Sequence, residues 1–169
     1  LSLVKMDKKA ADMNIVNMNI NELLENILKR LRPIADQRSI ALILDSFRPV
    51  TADVDEVKFT LAISNLVENG IKYNVDEGWV RVTLDADYKY FYVTVADSGL
   101  GIPEDSIERI FERFYRVDKS HSREIGGTGL GLAITRSSIV MHHGTIKVSS
   151  KEGEGTTFNV KIPLSYISS

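Results

Sequence analysis

Asn65-Leu-Val-Glu-Asn69-Gly-Ile-Lys72-Tyr73 lies near the end of a long amphipathic run, Asp53 to Asn74. At about 100° per residue, Phe59, Ala62, Ile63, Leu66 and Gly70 fall on one face, which predicts a helix pressed onto an apolar surface. Asn65, Asn69 and Lys72 gather within about 60° of each other at the border of that face. Two amides one turn apart are poor choices for helix propensity alone. Taken by itself, the pair fits a solvated helix edge. It also fits an amide oxygen that holds a cation, with phosphates supplying further ligands. Magnesium suits such a site, because it takes oxygen ligands and usually keeps several waters.

Outward from this helix the pattern alternates in type. Asn19 opens an earlier helix, with Glu22 three residues on, and Leu23, Leu24, Ile27, Leu28 and Leu31 follow at helical spacing. Ile40 to Leu44 reads as a short strand. Trp79 to Leu84 and Tyr90 to Val95 read as two strands joined by a polar turn at Asp85–Lys89. From Ile102 to Gly127 the pattern is irregular, and a loop of that length in a compact domain is more often functional than not. Leu130 to His143 predicts a helix stopped by Gly144. Thr145–Ser149 and Thr156–Pro163 predict two closing strands around the turn Lys151–Gly155. About five strands, often consecutive, and three longer helices predict an α+β two-layer sandwich rather than alternating parallel units. Residues 1–18 carry few order signals, and Leu1–Val4 resembles the tail of an upstream helix.

The bulk properties exclude several classes. At 169 residues and 43% hydrophobic content the chain suits one packed domain. A net charge of −2 and a pI near 6.0 give no reason to expect nucleic acid as a partner. There is no cysteine, so disulfides and thiolate metal sites are excluded. No run approaches the roughly 20 apolar residues of a membrane span, and the start lacks a signal-peptide pattern, so no direct membrane contact is expected. The chain opens on Leu1 in mid-pattern, which suggests a piece of something longer.

Two further segments follow the asparagine helix. Asp97-Ser-Gly99-Leu-Gly101 begins where a β-branched strand ends, so the Asp97 carboxylate is fixed and can accept a hydrogen bond from an exocyclic amine such as that of adenine. Gly99 and Gly101 would let the backbone turn beside the base, although an ordinary Asp-x-Gly turn fits the same residues. Gly126-Gly127-Thr128-Gly129-Leu130-Gly131-Leu132 precedes a helix, where free N–H groups and the positive dipole end meet an anion. A flexible hinge is the alternative. The segment is neither the phosphate loop, because no Lys follows, nor the dinucleotide fingerprint, because a long loop rather than a strand precedes it. In this order, the three segments together read as an ATP site.

They resemble the N, G1 and G2 boxes of the ATP-binding catalytic domain of bacterial sensor histidine kinases, in the GHKL superfamily that includes gyrase. Ile110-Phe-Glu-Arg-Phe-Tyr-Arg116 is similar to that family's F box, and Gly153-Glu-Gly-Thr-Thr-Phe158 to its last glycine turn. The resemblance covers about residues 19–164. It implies that Asn69 binds magnesium with Asn65 nearby, that Lys72 meets the phosphates and that Tyr73 packs on the adenine. Asp97 would take the adenine amine beside Gly99, Gly101 and Ile102. Residues Gly127, Thr128, Gly129, Leu130, Gly131 and Leu132 would bound the phosphates, and Thr157 would hydrogen-bond close to the base. Residues 102–127 would be the ATP lid, with Arg113, Arg116, Lys119 and Arg123 as candidate contacts to the terminal phosphate. Five Arg/Lys stand there against six Asp/Glu, so individual arginines placed by packing are expected rather than a diffuse positive field.

Departures from the family pattern narrow the chemistry. Gyrase-type relatives place a water-activating glutamate where Asn65 stands, and an amide cannot act as a general base. Asn65 therefore points to transfer to another acceptor rather than hydrolysis. Glu68 is acidic but lies about 60° away around the helix and is read as a surface residue. Gly70 replaces the family's usual alanine and is expected to loosen the helix by up to about 1 kcal/mol. The family's acceptor histidine is followed by Glu or Asp, and His121, His142 and His143 are not. His142 and His143 are expected to cap a helix end, and His121 to be exposed. The resemblance thus implies a histidine kinase catalytic domain using ATP and Mg2+ on the cytoplasmic side. Its partners would be a dimerisation domain carrying the histidine, with residues 1–18 as the linker, and a response regulator. A serine kinase of the anti-sigma-factor type and a degenerate nucleotide-binding docking module are the alternatives.

Overall fold

The computed structural model describes residues 13–113, 115 and 131–167. Among the described residues, seven strands and three α-helices run in the order β1 (Ile15–Asn19), α1 (Ile20–Asp36), β2 (Ala41–Ser46), β3 (Thr51–Asp55), α2 (Glu56–Lys72), β4 (Trp79–Ala86), β5 (Tyr90–Asp97), α3 (Gly131–Met141), β6 (Thr145–Lys151) and β7 (Gly155–Pro163). Five strands form one sheet in the order β2-β4-β5-β7-β6, in which β2 and β4 are parallel and the other pairs antiparallel. β1 and β3 form a separate antiparallel ribbon. This is an α+β sandwich with a mixed sheet, as the sequence indicates.

The period-2 pattern of the strands aims one face of the sheet at the helices. Val80, Val82 and Leu84 of β4, Phe91, Val93 and Val95 of β5, and Phe158, Val160 and Ile162 of β7 are buried. They meet the apolar stripes of α1 (Leu24, Ile27, Leu31) and α2 (Phe59, Ile63, Leu66) in one core. Phe59 and Phe91 pack edge to face with ring centroids 5.8 Å apart, both fully buried. Truncating either ring to Ala would cost roughly 3–5 kcal/mol.

Some boundaries differ from the sequence reading. The run from Asp53 gives its first three residues to β3, and α2 begins at Glu56. Asp55 is its N-cap: Oδ1 accepts the Lys58 N–H at 3.0 Å and Oδ2 accepts the Asn14 N–H at 3.0 Å. Burial pushes the Asp55 carboxyl up, but these bonds and the Lys58 ammonium outweigh it and hold it below the usual carboxylate value. The acidic composition of 53–56 imitates a helix first turn, and only the alternation of buried Ala52 and Val54 betrays the strand. Residues 15–18, poor in order signals, form most of β1.

The end of α3 also corrects an expectation. His143, not Gly144, takes the left-handed position (φ +65°). Its N–H donates to Val140 O and the Gly144 N–H donates to Ile139 O, both at 2.9 Å, which closes the helix. Gly144 is needed for closeness: a side chain there would collide with the Lys161 carbonyl. His143 stacks on Tyr166 at 4.5 Å. His142 is not a charged cap, because it is buried. Its Nδ1 donates to Ser138 O at 2.7 Å, and its Nε2 accepts the Asp55 N–H at 3.0 Å. The two bonds together require the neutral ring, and burial pushes its pKa down. Among the described residues no helix is long and apolar enough to cross a membrane.

Candidate functional site

The site gathers where α2, the end of β5 and the start of β7 converge. Asp97, the last residue of β5, pairs with Val80 of β4 on one side and Thr156 of β7 on the other. Its Oδ1 accepts the Gly99 N–H at 2.8 Å and the Thr156 N–H at 3.3 Å. No partner of Oδ2 is found among the described residues. Burial pushes the carboxyl pKa up, against the pull of the two N–H bonds. The result is one carboxylate oxygen held rigidly and the other available as a hydrogen-bond acceptor.

Close backbone approach surrounds this carboxylate. A side chain at Gly99 would come within 2.6 Å of Tyr73 O and 2.8 Å of Asp97 Oδ1. Gly101 has φ +76° and Gly155 φ +123°, where an L-residue is strained. A Cβ at Gly101 would strike the Lys151 carbonyl, and one at Gly155 the Asp97 carbonyl. Gly70 belongs to the same packing. A methyl there would sit 3.2 Å from Val80 and 3.6 Å from the Asp97 Cβ. The missing side chain thus lets α2 lie against the strand ends. Whatever helix propensity it loses, it is not an idle substitution.

β7 supplies a correction. The register sets Thr156 opposite Asp97 on the helix-covered face, and Thr156 is buried. Thr157 pairs with Ala96 and points to the opposite face of the sheet, so it does not join Asp97. Ser150, which no sequence motif marks, ties the region together. Its Oγ accepts the Ile102 N–H at 2.7 Å, donates to Gly155 O at 3.0 Å and lies 2.8 Å from Thr156 Oγ1. Only the strand pairing exposes either residue.

The asparagines line the second half of the site. Asn65 Nδ2 donates to Gly131 O at 3.3 Å, which brings the first turn of α3 onto α2 and leaves Asn65 Oδ1 without a donor among the described residues. Asn69 is half-buried one turn on, and no partner of its side-chain amide is found among the described residues. Lys72 ends α2 half-buried, and Tyr73 beyond it is 39% exposed. Ile102 and Leu132 pack partly buried against the core. Glu68 is half-buried and makes no described contact to Asn65.

The residues resembling an F box are anchored by aromatic contacts. Ile110 is buried, Phe111 meets Phe158 edge to face at 6.3 Å, and the Arg136 guanidinium lies 5.8 Å from the Phe111 ring. Tyr115 donates to Ser106 Oγ at 2.9 Å. Arg113 is exposed beside a groove lined by Phe111, Ala133, Arg136 and Val140. Gly126 to Leu130, Arg116, Lys119, His121 and Arg123 lie outside the described residues.

Comparison with known proteins agrees with this geometry. Residues 54–166 match the family described as histidine kinase-, DNA gyrase B- and HSP90-like ATPase. The sensor histidine kinase WalK of Bacillus subtilis is 34% identical over 165 residues, covering 96% of this chain and 27% of WalK. The catalytic domain of histidine kinase ThkA superposes with a TM-score of 0.80 at 28% identity, covering 90% of this chain and 97% of that domain. Full-length ShkA gives 0.77 at 25% identity, covering 99% of this chain and 36% of ShkA. The chain thus spans about a quarter of its full-length relative WalK, and nearly all of an isolated catalytic domain. By profile, sequence and fold, it belongs to the histidine kinase-, DNA gyrase B- and HSP90-like ATPase family.

Proposed function

We propose that this domain binds Mg-ATP and delivers its γ-phosphate to a histidine on a dimerisation domain of the same kinase, for relay to a response regulator. The observation that carries the proposal is the pairing of a buried carboxylate acceptor, Asp97, with two amide oxygens on α2, Asn65 and Asn69, that lack donors among the described residues. Asp97 Oδ2 accepts an exocyclic N–H of adenine, and Thr156 borders the same edge. Tyr73 and Ile102 flank the base. Asn69 is the residue to hold magnesium, with Asn65 beside it, and the oxygen chemistry of an amide fits that ion. Bound there, magnesium would neutralise charge on the phosphates.

The remaining chemistry belongs to the side chains. Lys72 reaches toward the phosphates as a mobile point charge. The first turn of α3, at Gly131, offers backbone N–H groups to them. Gly127, Thr128, Gly129, Leu130 and Leu132 belong to the same phosphate boundary, with Arg113 and Arg116 as candidates for the terminal phosphate. Asn65 cannot take a proton from water, so the site orients ATP without generating a hydroxide nucleophile. That favours transfer to an incoming imidazole. ShkA has been solved with AMPPNP, and ThkA with the response regulator protein TrrA, which supports both the ligand class and the partner.

Mg-ATP should raise the melting temperature of the protein. Asp97→Ala should abolish the shift and Asn69→Ala should remove its magnesium-dependent part, each leaving the apo melting point within a few degrees. A shift that survives both substitutions removes the assigned site.

A further inference from the structure

We propose that Arg38 is a positioning residue for the base end of the nucleotide site. The inference rests on the ATP-binding reading of that site. Arg38 lies in the turn between α1 and β2 and belongs to none of the motifs. Its guanidinium is spent on the end of α2. Nη1 donates to Ile71 O at 2.6 Å and to Lys72 O at 2.9 Å, Nη2 donates to Asn74 O, and Nε donates to Asp76 Oδ1 at 3.0 Å. Four of the five guanidinium N–H groups are thereby used. In return, the Arg38 carbonyl accepts the Glu77 N–H at 3.2 Å. The last carbonyls of a helix lack intrahelical partners, and a cation there also meets the negative dipole end.

The segment that Arg38 holds is the one on which the Asp97 loop rests. Tyr73 O accepts the Leu100 N–H at 2.9 Å. Asn74 is buried; its Nδ2 donates to Trp79 O at 2.9 Å and its Oδ1 accepts the Ser98 hydroxyl at 3.0 Å. Gly99, packed against Tyr73 O, then donates to Asp97. A continuous series of bonds therefore runs from the guanidinium through residues 71–74 and 98–100 to the carboxylate that meets the base. Arg38 itself takes no part in ligand contact in this arrangement. Its loss would free the end of α2 and let Tyr73 and the 98–100 loop drift, and small misplacements at such supports weaken binding by large factors.

The test is titration of a fluorescent ADP analogue, and of Mg-ATP by competition, into the wild type, Arg38→Gln, Arg38→Lys, Asp97→Asn and Ile162→Ala. Ile162 is buried at the far end of the sheet, so Ile162→Ala lowers the melting point without touching the site. Arg38→Gln should weaken ADP and ATP by the same factor, roughly tenfold, because the support acts on the base end that both nucleotides share. Arg38→Lys, a point charge that cannot span three carbonyls, should recover only part of the loss. Ile162→Ala should bind within about twofold of wild type. Unchanged affinity in Arg38→Gln overturns the proposal. So does a loss no greater than that of Ile162→Ala at equal melting point. If Arg38→Gln does not fold, full wild-type affinity in Arg38→Lys overturns it instead. Wild-type binding by Asp97→Asn would sink the underlying site reading, a failure distinct from the Arg38 result.

Discussion

At the Asp97 end of the site most polar groups are bonded within the fold, whereas at the Asn69 end the half-buried amides keep donors and acceptors without partners among the described residues. Asp97, Gly99, Ser150, Thr156 and the Tyr73–Asn74 corner form one bonded cluster around a single available carboxylate oxygen. Along α2, Asn69 has no described partner and Asn65 has one bond, to Gly131. In the proposed function the first region would meet a rigid aromatic base, and the second would be completed by oxygen ligands and an ion. Recognition and reactivity would then be divided between a fixed end and an adaptable one.

That division predicts how substitutions rank. The largest effect belongs to Asp97: replacing it with Ala should weaken ATP more than a hundredfold by calorimetry, since the buried cluster would face the base amine without its acceptor. ADP and ATP should suffer alike. A loss confined to ATP would break the assignment of Asp97 to the base.

A contrasting loss is expected at Asn69. Asn69→Ala should remove the magnesium-dependent part of ATP affinity, on the order of tenfold, while ADP binding in chelator stays near wild type. Equal weakening with and without metal would place Asn69 in the fixed end instead.

pH separates the two regions further. The raised pKa of Asp97 means that the fold holds this proton more tightly than the unfolded chain does. Its contribution to stability is therefore present below the ordinary carboxylate value and is lost as pH rises through the raised one. Nucleotide binding needs the ionised acceptor, so affinity should fall as pH drops toward that value from above. Titrations across mildly acidic pH should show the decline in the wild type and a flat response in Asp97→Asn.

His142 has the opposite sign. Its folded pKa is lowered, so below about 6.5 the unfolded chain takes up the proton first. Stability should decrease as pH falls through that range. His142→Ala should flatten this dependence and cost about 2 kcal/mol in urea unfolding, because the Asp55 N–H and Ser138 O lose their partner. The smallest effect is expected at Gly70. Gly70→Ala gains helix propensity but presses on Val80, leaving stability within about 1 kcal/mol of wild type.

The adaptable end was the more legible of the two in the sequence. Asn65, Asn69 and Lys72 stand at helical spacing, and a period of 3.6 can be counted without knowing what packs where. Asp97 was legible as a carboxylate at a strand end. Its neighbours were not, because Thr156, Ser150 and Arg38 reach it only through strand register and backbone carbonyls that are distant in the chain. Thr157 is turned away from Asp97 for the same reason, since one residue of register moves a side chain to the other face. The sandwich followed from strand count and alternation. The β1–β3 ribbon is not legible because its strands are short and mix apolar residues with Asn, Thr and Asp, with most of their order coming from pairing rather than from pattern.

In the proposed function this domain orients ATP for transfer to a histidine rather than to water. The direct measurement is incubation with γ-labelled Mg-ATP and a separately made, histidine-bearing dimerisation hairpin, followed by acid and base treatment of the labelled product. Label should appear on the hairpin that acid removes and base does not, with little phosphate released when the hairpin is omitted. Acid-stable label, or brisk phosphate release without the hairpin, would contradict it.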